Sequence, residues 1–343
     1  MNNLSNEQDG CDYSAKPDSS AVSSRKNEET IKLIVPGNLA GSRLDQVLAQ
    51  LFPQWSRSRL QRWIGENRVR VDGVTGSVRQ KIWGGEVIHV TAGLMEEDQS
   101  YQAEAIPLNI LYEDDHLIIV DKPAGLVVHP GNGNWHGTLL NALLNHAPQL
   151  AQVPRAGIVH RLDKDTTGLL VVAKTIEVQF DLIKQLQQRT VKRHYFALVL
   201  GEIEKGGLVD APIGRHPVHR TRMAIVQHGK PARTHYCVLE KFTGCTLLQC
   251  SLETGRTHQI RVHLMSIGHP LAGDPVYGKT PPGSPVADII APFPRQALHA
   301  WQLELTHPGN GQILRWESRL PADIAGLLQA LRNDASQPAP AFL

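Results

Sequence analysis

Residues 159–174, VHRLDKDTTGLLVVAK, constrain the fold of this chain more than any other stretch. Asp163 and Asp165 precede a Thr/Gly-containing turn at 166–168, and an apolar run follows at once. A turn that leads into a buried strand fixes the side chains beside it. Arg161 lies two residues before Asp163, so in an extended segment both side chains leave the same face. That cation would keep Asp163 ionised, either as an ion pair that steadies a turn or as a carboxylate of a functional site.

Composition predicts how the rest of the chain is divided. Residues 1–30 hold six acidic and three basic residues and few large apolar ones, which predicts a disordered tail. The polar stretch 93–104 is a predicted linker between two modules, residues 41–92 and 105–331. Residues 332–343 are predicted to form a loose C-terminal end.

Two short helices and a β-hairpin are predicted for the first module. Ser42 to Asp45 resembles a capping box, and Ser56 begins a second helix. The apolar stripes of the two helices are Leu44, Val47, Leu48 and Leu51, then Leu60, Trp63 and Ile64. An Asp72-Gly73 turn lies between strand-like segments. Residues 41–90 carry eight basic and four acidic residues. This module is therefore basic, although the acidic residues of the tail keep the overall net charge at only +2.

The second module is predicted to be α+β, with a mixed, mainly antiparallel sheet and flanking helices. Strands are expected near 111–120, with an early turn at the two aspartates 114 and 115, and over the apolar runs 169–173, 195–200 and 246–252. Helices are expected near 176–188, 257–268 with Thr257 as a possible cap, and 321–332. The Pro/Gly-rich segment 272–295 is expected to be a loop.

Several other chemistries are not supported by the sequence. GDPVYGKT, from Gly273 to Thr280, matches a phosphate-loop pattern, but a proline after Thr280 prevents the helix that such a loop requires. His258 and His263 are five residues apart, which does not place two imidazoles on one helical turn, so we expect no metal site. Four cysteines without CxxC spacing fit a reducing cytoplasm, and no apolar segment long enough for a membrane span is present.

Four motifs resemble, in the same order, those of pseudouridine synthases of the RluA/RluD type. They are DKPAGLVVHPG (121–131), HRLDKDTTGLLVVAK (160–174), VKRHYFALVLG (191–201) and ETGRTHQIRVHL (253–264). The helix, basic helix and hairpin order of residues 41–92 resembles the S4 RNA-binding domain. This S4-like module, combined with HRLDKDTTGLLVVAKT, VPRAGIVH and GDPVYG, most resembles the RluD branch. The resemblance to the S4 domain implies that its arginines contact RNA phosphates. They are Arg57, Arg59, Arg62, Arg68 and Arg70.

The family resemblance also assigns residues to the reaction. It implies that Asp163 is the catalytic aspartate, that Arg261 pairs with it, and that Tyr195 lies against the target base. From spacing alone, Arg261 would be a solvated cation on a helix and Tyr195 a strand aromatic in the core. Arg161 is implied to fill the space left by the flipped uridine or to hold its flanking phosphate.

The function implied is isomerisation of specific uridines to pseudouridine in a stem-loop of bacterial 23S large-subunit rRNA. Breaking the N1 glycosidic bond and rejoining the base through C5 requires neither a redox change nor an energy input, so no cofactor is expected. Another rRNA or a tRNA loop is the alternative substrate, and a non-catalytic S4-type RNA-binding protein is the alternative class. We expect a cytoplasmic monomer whose partner is RNA and which has no nucleotide cofactor and no membrane contact.

Overall fold

A computed structural model of the chain describes residues 29–52, 57–92, 101–131, 134–278 and 283–334. Two compact units are present, Met1–Gln99 and Ser100–Leu343. The predicted tail up to residue 28, the linker over 93–100 and the C-terminal end from 335 lie outside the described residues. None of the helices within the described ranges is long and apolar enough to cross a membrane.

The first unit is a four-stranded antiparallel sheet with two helices. Its elements are β1 (Glu29–Ile34), α1 (Leu44–Leu51), α2 (Arg57–Gly65), β2 (Val69–Val71), β3 (Val74–Thr75) and β4 (Val87–Ala92). The strand order is β1-β4-β2-β3. The predicted helices and hairpin are confirmed, and the predicted apolar positions are buried except Leu51, which is partly exposed. β1 was not predicted and extends the unit to the N-terminal side of residue 41.

The predicted capping box of α1 is wrong. The helix begins after Arg43, whose backbone N–H donates to Oε1 of Gln46 at 3.2 Å. Asp45 is instead fully buried and accepts hydrogen bonds from the Arg43 and Arg57 guanidinium groups and from Gln61. Its carboxylate is used to join α1 to α2, because a buried charge requires partners of opposite charge.

The second unit contains a mixed nine-stranded sheet. Its strands are β5 (Ile110–Glu113), β6 (Leu117–Lys122), β7 (Thr167–Ala173), β8 (Lys192–Leu200), β9 (Gly207–Asp210), β12 (Arg233–Phe242), β13 (Cys245–Leu252), β14 (Leu298–Thr306) and β15 (Ile313–Glu317). The order is β5-β6-β7-β14-β8-β13-β12-β9, and β15 pairs with β14. Only the β7–β14 pair of these described strands is parallel, so the predicted mainly antiparallel sheet is confirmed.

A separate antiparallel hairpin and five helices complete this unit. They are β10 (Ile213–Arg215), β11 (Met223–Ile225), α3 (Leu139–His146), α4 (Ile176–Gln187), α5 (Gln259–Ser266), α6 (Ala287–Ile290) and α7 (Ala322–Asn333). The segment expected to be one strand over 111–120 is a hairpin, β5 and β6, that turns at the two aspartates. The expected loop over 272–295 contains α6, and α7 extends beyond the predicted domain end at 331.

Part of the predicted linker belongs to the second unit. The Asn141 side chain donates to the carbonyl of Gln102 at 2.8 Å, and the Glu104 backbone N–H donates to the carbonyl of Asn141 at 3.0 Å. Glu104 Oε2 also accepts from the backbone N–H of Gly137 at 3.0 Å. Residues 101–104 are therefore packed beside α3 rather than free.

The start of β7 is fixed by its neighbour β14. Gly168 has φ +110°, and a Cβ there would lie 2.2 Å from the carbonyl oxygen of Ala300. Only glycine allows the two strands to approach so closely. Thr167 adds a hydrogen bond of 2.9 Å between its hydroxyl and Nδ1 of His299. The turn that precedes β7, and the side chains on it, are thereby held at one position against the sheet.

Candidate active site

Asp163 lies in a turn at the entrance to β7. The Thr166 backbone N–H donates to the carbonyl of Asp163 at 3.1 Å, so the turn comes before the predicted position at 166–168. The Asp163 side chain is 16% exposed, and its Oδ2 accepts a hydrogen bond of 3.0 Å from Nη1 of Arg261. The structure thus brings together two residues 98 positions apart. The remaining carboxylate oxygen, Oδ1, is the one available to a substrate.

Arg261 is buried in α5, which contradicts the interpretation of a solvated cation. Its Nε and Nη2 donate to the two carboxylate oxygens of Asp274 at 2.7 and 2.8 Å. Burial by itself lowers the pKa of Arg261, but Asp274 and Asp163 together raise this pKa above its usual value. The guanidinium is a permanent cation, oriented by Asp274 and aimed at Asp163.

Asp274 is the main residue that sequence reasoning missed. It lies within GDPVYGKT, which matched a phosphate-loop pattern and contributed to the family resemblance, but no role was assigned to its aspartate. Its Oδ1 also accepts the backbone N–H groups of Val276 and Tyr277 at 2.9 and 3.0 Å. Burial raises the pKa of Asp274, but the Arg261 hydrogen bond and charge and the two backbone hydrogen bonds outweigh this and lower the pKa. The sequence signal was indirect: a buried arginine aimed at a catalytic carboxylate needs a second anion to hold it.

The residue before α5 is His258, not the predicted cap Thr257. His258 has left-handed backbone angles, φ 56° and ψ 24°, and its side chain makes no capping hydrogen bond. Instead Nδ1 lies 2.8 Å from the hydroxyl of Tyr277, and Nε2 lies 3.9 Å from Oδ1 of Asp163. Neither His258 nor Tyr277 was assigned to the site from the sequence.

Tyr195, on β8, is 5% exposed and packs in the main apolar cluster of the second unit. Burial raises the pKa of its phenol, Arg193 lowers it, and the charge of Asp163 raises it. The phenol is therefore neutral at pH 7, and it interacts electrostatically with the carboxylate of Asp163. The core-aromatic interpretation is correct for its ring, and the predicted role against the target base stays a prediction.

Arg161 does not form the ion pair with Asp163 that its spacing suggested. Within the described part of the chain, Asp163 forms its ion pair with Arg261, and Nε2 of His258 lies 3.9 Å from its Oδ1. Arg161 is exposed. Burial is the main cause that lowers the pKa of His258, and the charge of Arg161 lowers it further.

Two buried basic side chains hold the backbone of the Asp163 turn. Nζ of Lys122 donates to the carbonyl of Lys164 at 2.8 Å and to two carbonyls of its own segment. Burial lowers the pKa of Lys122 to about 7, against the opposing charges of Asp165 and Asp163. Nη1 of Arg295 donates to the carbonyl of Asp165 at 3.0 Å, while its Nε and Nη2 bind both carboxylate oxygens of Asp323 on α7. Neither basic residue was identified from the sequence.

The described residues contain one His/Asp group with metal-ligand spacing: Asp114, His116 and His307. Hydrogen bonds already account for two of its members. Asp114 accepts from two backbone N–H groups, from the Tyr112 hydroxyl and from Nε2 of His307. Nδ1 of His307 accepts the backbone N–H of Gly309 at 3.2 Å. The group is a structural cluster that joins the β5–β6 turn to the end of β14.

The arginines of the first unit differ in their surroundings. Arg57 is half exposed and binds the buried Asp45 at 2.6 Å, so its charge serves the fold as well as the surface. Arg62 and Arg70 are exposed, and Arg68 lies 3.5 Å from Glu66. The side chain of Arg59 lies outside the described set.

Comparison with known proteins gives concordant matches to both units. A family model for RNA pseudouridylate synthase matches residues 116–266, and an S4 domain model matches residues 42–75. "Ribosomal large subunit pseudouridine synthase D" of Nitrosomonas europaea is 78% identical over 333 residues, covering 97% of each chain. The protein of the same name from Pseudomonas aeruginosa is 54% identical over 305 residues, covering 88% of this chain and 95% of the other.

Two solved structures are also similar. Human RNA Pseudouridylate Synthase Domain Containing 4 is 27% identical with a TM-score of 0.52, covering 65% of this chain and 93% of the other. Human RNA Pseudouridylate Synthase Domain Containing 1 is 26% identical with a TM-score of 0.51, covering 69% and 98%. The family match includes Asp163, Tyr195 and Arg261, whereas Asp274 and Arg295 lie beyond its end.

Proposed function

The chain belongs to the RNA pseudouridylate synthase family and is an RNA pseudouridine synthase, and from this premise we propose that its substrate is a stem-loop of 23S large-subunit rRNA. The names of its relatives from N. europaea and P. aeruginosa refer to the large ribosomal subunit. The observation that carries the proposed mechanism is the Asp274–Arg261–Asp163 chain of ion pairs.

In the proposed reaction, Asp163 acts at the C1′–C2′ edge of the ribose. Arg261 holds Oδ2, which leaves Oδ1 to face the sugar. The N1–C1′ bond breaks, the base turns, and a C5–C1′ bond forms; C5 then loses its proton and N1 gains one, so the product is an isomer of the substrate. A carboxylate held in a partly closed site by a fixed cation is preorganised for a developing positive charge on the sugar.

Tyr195 and Arg161 have distinct proposed roles. The neutral phenol of Tyr195 lies against the detached base, where it can exchange hydrogen bonds with the carbonyl oxygens and ring nitrogens of uracil. Arg161 is exposed. In the proposed complex it fills the space that the flipped uridine leaves or binds the phosphate next to it. Extrusion of a uridine from a loop costs less than extrusion from a duplex, which favours a stem-loop substrate.

Basic residues of both units supply phosphate contacts. In the first unit these are Arg57, Arg59, Arg62, Arg68 and Arg70. In the second unit, residues 213–225 contain three arginines, Arg215, Arg220 and Arg222, and no acidic residue. Their hairpin, β10–β11, is joined to the site because the Met223 backbone N–H donates to the Tyr277 hydroxyl at 2.8 Å. We propose that the protein acts as a cytoplasmic monomer, since the ion pairs around Asp163 are complete within one chain.

The rRNA target is tested by mapping pseudouridines in total RNA from a strain that lacks the protein. We expect specific pseudouridines to disappear from 23S rRNA and to return when wild-type protein is supplied. Losses confined to tRNA or to the small-subunit rRNA would contradict the proposed substrate. Size-exclusion chromatography with light scattering tests the monomer, and a stable dimer would contradict it.

Phosphate contacts by the first unit are tested by the salt dependence of RNA binding. Arg70→Gln removes an exposed cation from β2 and should lower the slope of log K against log salt by about one unit. Arg315→Gln is the matched control, because Arg315 on β15 is half exposed and already paired with Glu317. An unchanged slope for Arg70→Gln would show that this position does not touch RNA.

A further inference from the structure

His258 and Tyr277 form a pair beside Asp163 that the mechanism above does not use. His258 is a non-glycine residue at φ 56°, a conformation that is rare outside functional or turn positions. Its imidazole is edge-on to the Tyr277 ring, with centroids 5.6 Å apart, and the Arg261 guanidinium lies 5.0 Å from the same ring. The pair is thus built into the ion-pair network of the site.

The hydrogen bonds of Tyr277 favour one tautomer of His258. The phenol oxygen accepts the Met223 backbone N–H at 2.8 Å, and we assign its own hydrogen to Nδ1 of His258, 2.8 Å away. Nδ1 is then an acceptor, and the proton of a neutral imidazole lies on Nε2. Burial lowers the pKa of His258 and outweighs the opposing charge of Asp163, which favours this neutral form at pH 7.

Nε2–H and Oδ1 of Asp163 face each other across a gap of 3.9 Å. This distance is too long for a direct hydrogen bond. A donor and an acceptor so spaced can both reach one atom between them at about 2.8 Å, provided that the group accepts from one side and donates to the other. A hydroxyl has this property, whereas a carbonyl or an N–H group does not.

We propose that Nε2–H of His258 and Oδ1 of Asp163 together bind the ribose 2′-hydroxyl of the target uridine. The hydroxyl donates to Oδ1 and accepts from Nε2–H. The proposal rests on the proposed role of Asp163 at the C1′–C2′ edge, because the 2′-hydroxyl is bonded to C2′. It makes His258 a residue that distinguishes RNA from DNA at the reacting nucleotide. Hydrogen bonds to a 2-hydroxyl next to a breaking glycosidic bond also strengthen in the transition state.

The test is a cycle of two enzymes and two substrates. Synthetic stem-loops carry the uridine that wild-type protein modifies, made as ribouridine or as 2′-deoxyuridine at that one position, with tritium at C5. The enzymes are wild type and His258→Asn, because asparagine tolerates left-handed angles while its amide falls short of the Nε2 position. The ratio of kcat/KM on the two substrates is taken for each enzyme, and comparison of these ratios between enzymes cancels the different intrinsic lability of the two glycosidic bonds.

We expect removal of the 2′-hydroxyl to cost the wild-type protein about tenfold in kcat/KM and His258→Asn less than threefold. His258→Gln, whose amide N–H reaches the Nε2 position, should regain part of the wild-type dependence. The inference would be overturned if removal of the 2′-hydroxyl lowered kcat/KM by the same factor in wild type and in His258→Asn. It would also be overturned if this removal left kcat/KM of the wild type unchanged.

A second variant covers the case in which His258→Asn does not fold. Tyr277→Phe keeps the aromatic packing but removes the hydrogen that fixes the imidazole, so the 2′-hydroxyl dependence should again fall below that of wild type. An unchanged dependence would overturn the inference. Failure of the proposed function gives a different result: Asp163→Asn would then remain active, whereas failure of this inference alone leaves Asp163→Asn inactive.

Discussion

Asp274→Asn tests whether the second carboxylate on Arg261 is necessary to both fold and activity. The change preserves the size of the side chain and leaves an amide oxygen for the backbone N–H groups of Val276 and Tyr277. The amide nitrogen then faces Nε of Arg261, where two donors meet at a position that now holds a bond of 2.7 Å. The buried guanidinium keeps its contact with Asp163 and the Nη2 hydrogen bond to the amide oxygen at the Oδ1 position, but it loses the Nε hydrogen bond and the negative charge of its partner.

The expected magnitude follows from the burial of the pair. Arg261 and Asp274 have side chains 5% and 0% exposed, so solvent cannot replace the lost charge. Removal of one partner from a buried ion pair lowers the free energy of unfolding by about 3–5 kcal/mol. Because the contact with Asp163 remains, we expect a value of about 3 kcal/mol for Asp274→Asn. In a unit of this size each kcal/mol lowers the melting temperature by about 2–4 °C, so we expect a decrease of about 6–12 °C.

Activity should fall as well, because Arg261 loses one of its three fixed hydrogen bonds and the negative charge that orients it. A displacement of about 1 Å in a positioning group can cost about a hundredfold in rate, and we expect a loss of that order in kcat. The assays are calorimetric melting and tritium release from C5-labelled RNA at saturating concentration. Asp288→Asn is the matched control, since Asp288 is exposed on α6, and it should behave as wild type.

The reasoning would be refuted by one pattern of results. If Asp274→Asn melts within about 2 °C of Asp288→Asn and keeps kcat within threefold, the carboxylate neither stabilises Arg261 nor positions it. A fall in melting temperature without loss of kcat would show that Asp274 serves the fold alone.

Two further predictions concern residues around the site and at the sheet edge. Asp323→Asn removes the bidentate anchor of Arg295, so the carbonyl of Asp165 is held less firmly and kcat should fall about tenfold with KM for RNA unchanged; an unchanged kcat would contradict this. Burial raises the pKa of Asp114, but hydrogen bonds, including one from His307, lower it to about 2. Its stabilisation is therefore complete above its usual pKa near 4 and is lost as pH falls towards 2. Asp114→Asn should lower the free energy of unfolding, measured with urea at pH 7, by about 2 kcal/mol. It should also flatten the dependence of this free energy on pH between 4 and 2, and an unchanged pH dependence would contradict the assignment.

Local pattern was sufficient where burial of one face decides the structure. The apolar stripes predicted α1 and α2, and the run after Gly168 predicted β7, because a helix or strand must bury its apolar side whatever lies opposite. The family resemblance then placed Asp163 and Arg261 in one site across 98 residues.

Sequence pattern failed where a distant partner decides the role of a polar residue. Asp45 was assigned to a helix cap, but Arg57 on the next helix makes it a buried ion-pair acceptor. Thr257 was assigned to a cap, but contacts with Tyr277 and Asp163 place His258 at that position in a left-handed conformation. Asp274 was hidden in a pattern that suggested a different chemistry. In each case the deciding contact joins segments that no local spacing relates.

The central claim, that Asp163 carries out the isomerisation, is tested most directly by tritium release from RNA labelled at uridine C5. Wild-type protein should release label, and Asp163→Asn should be slower by more than about a thousandfold while binding RNA within a few fold, because the amide keeps the shape but is neither nucleophile nor base. Asp115→Asn, an exposed aspartate of the β5–β6 turn, should release label at the wild-type rate. Release by Asp163→Asn within tenfold of wild type would contradict the account.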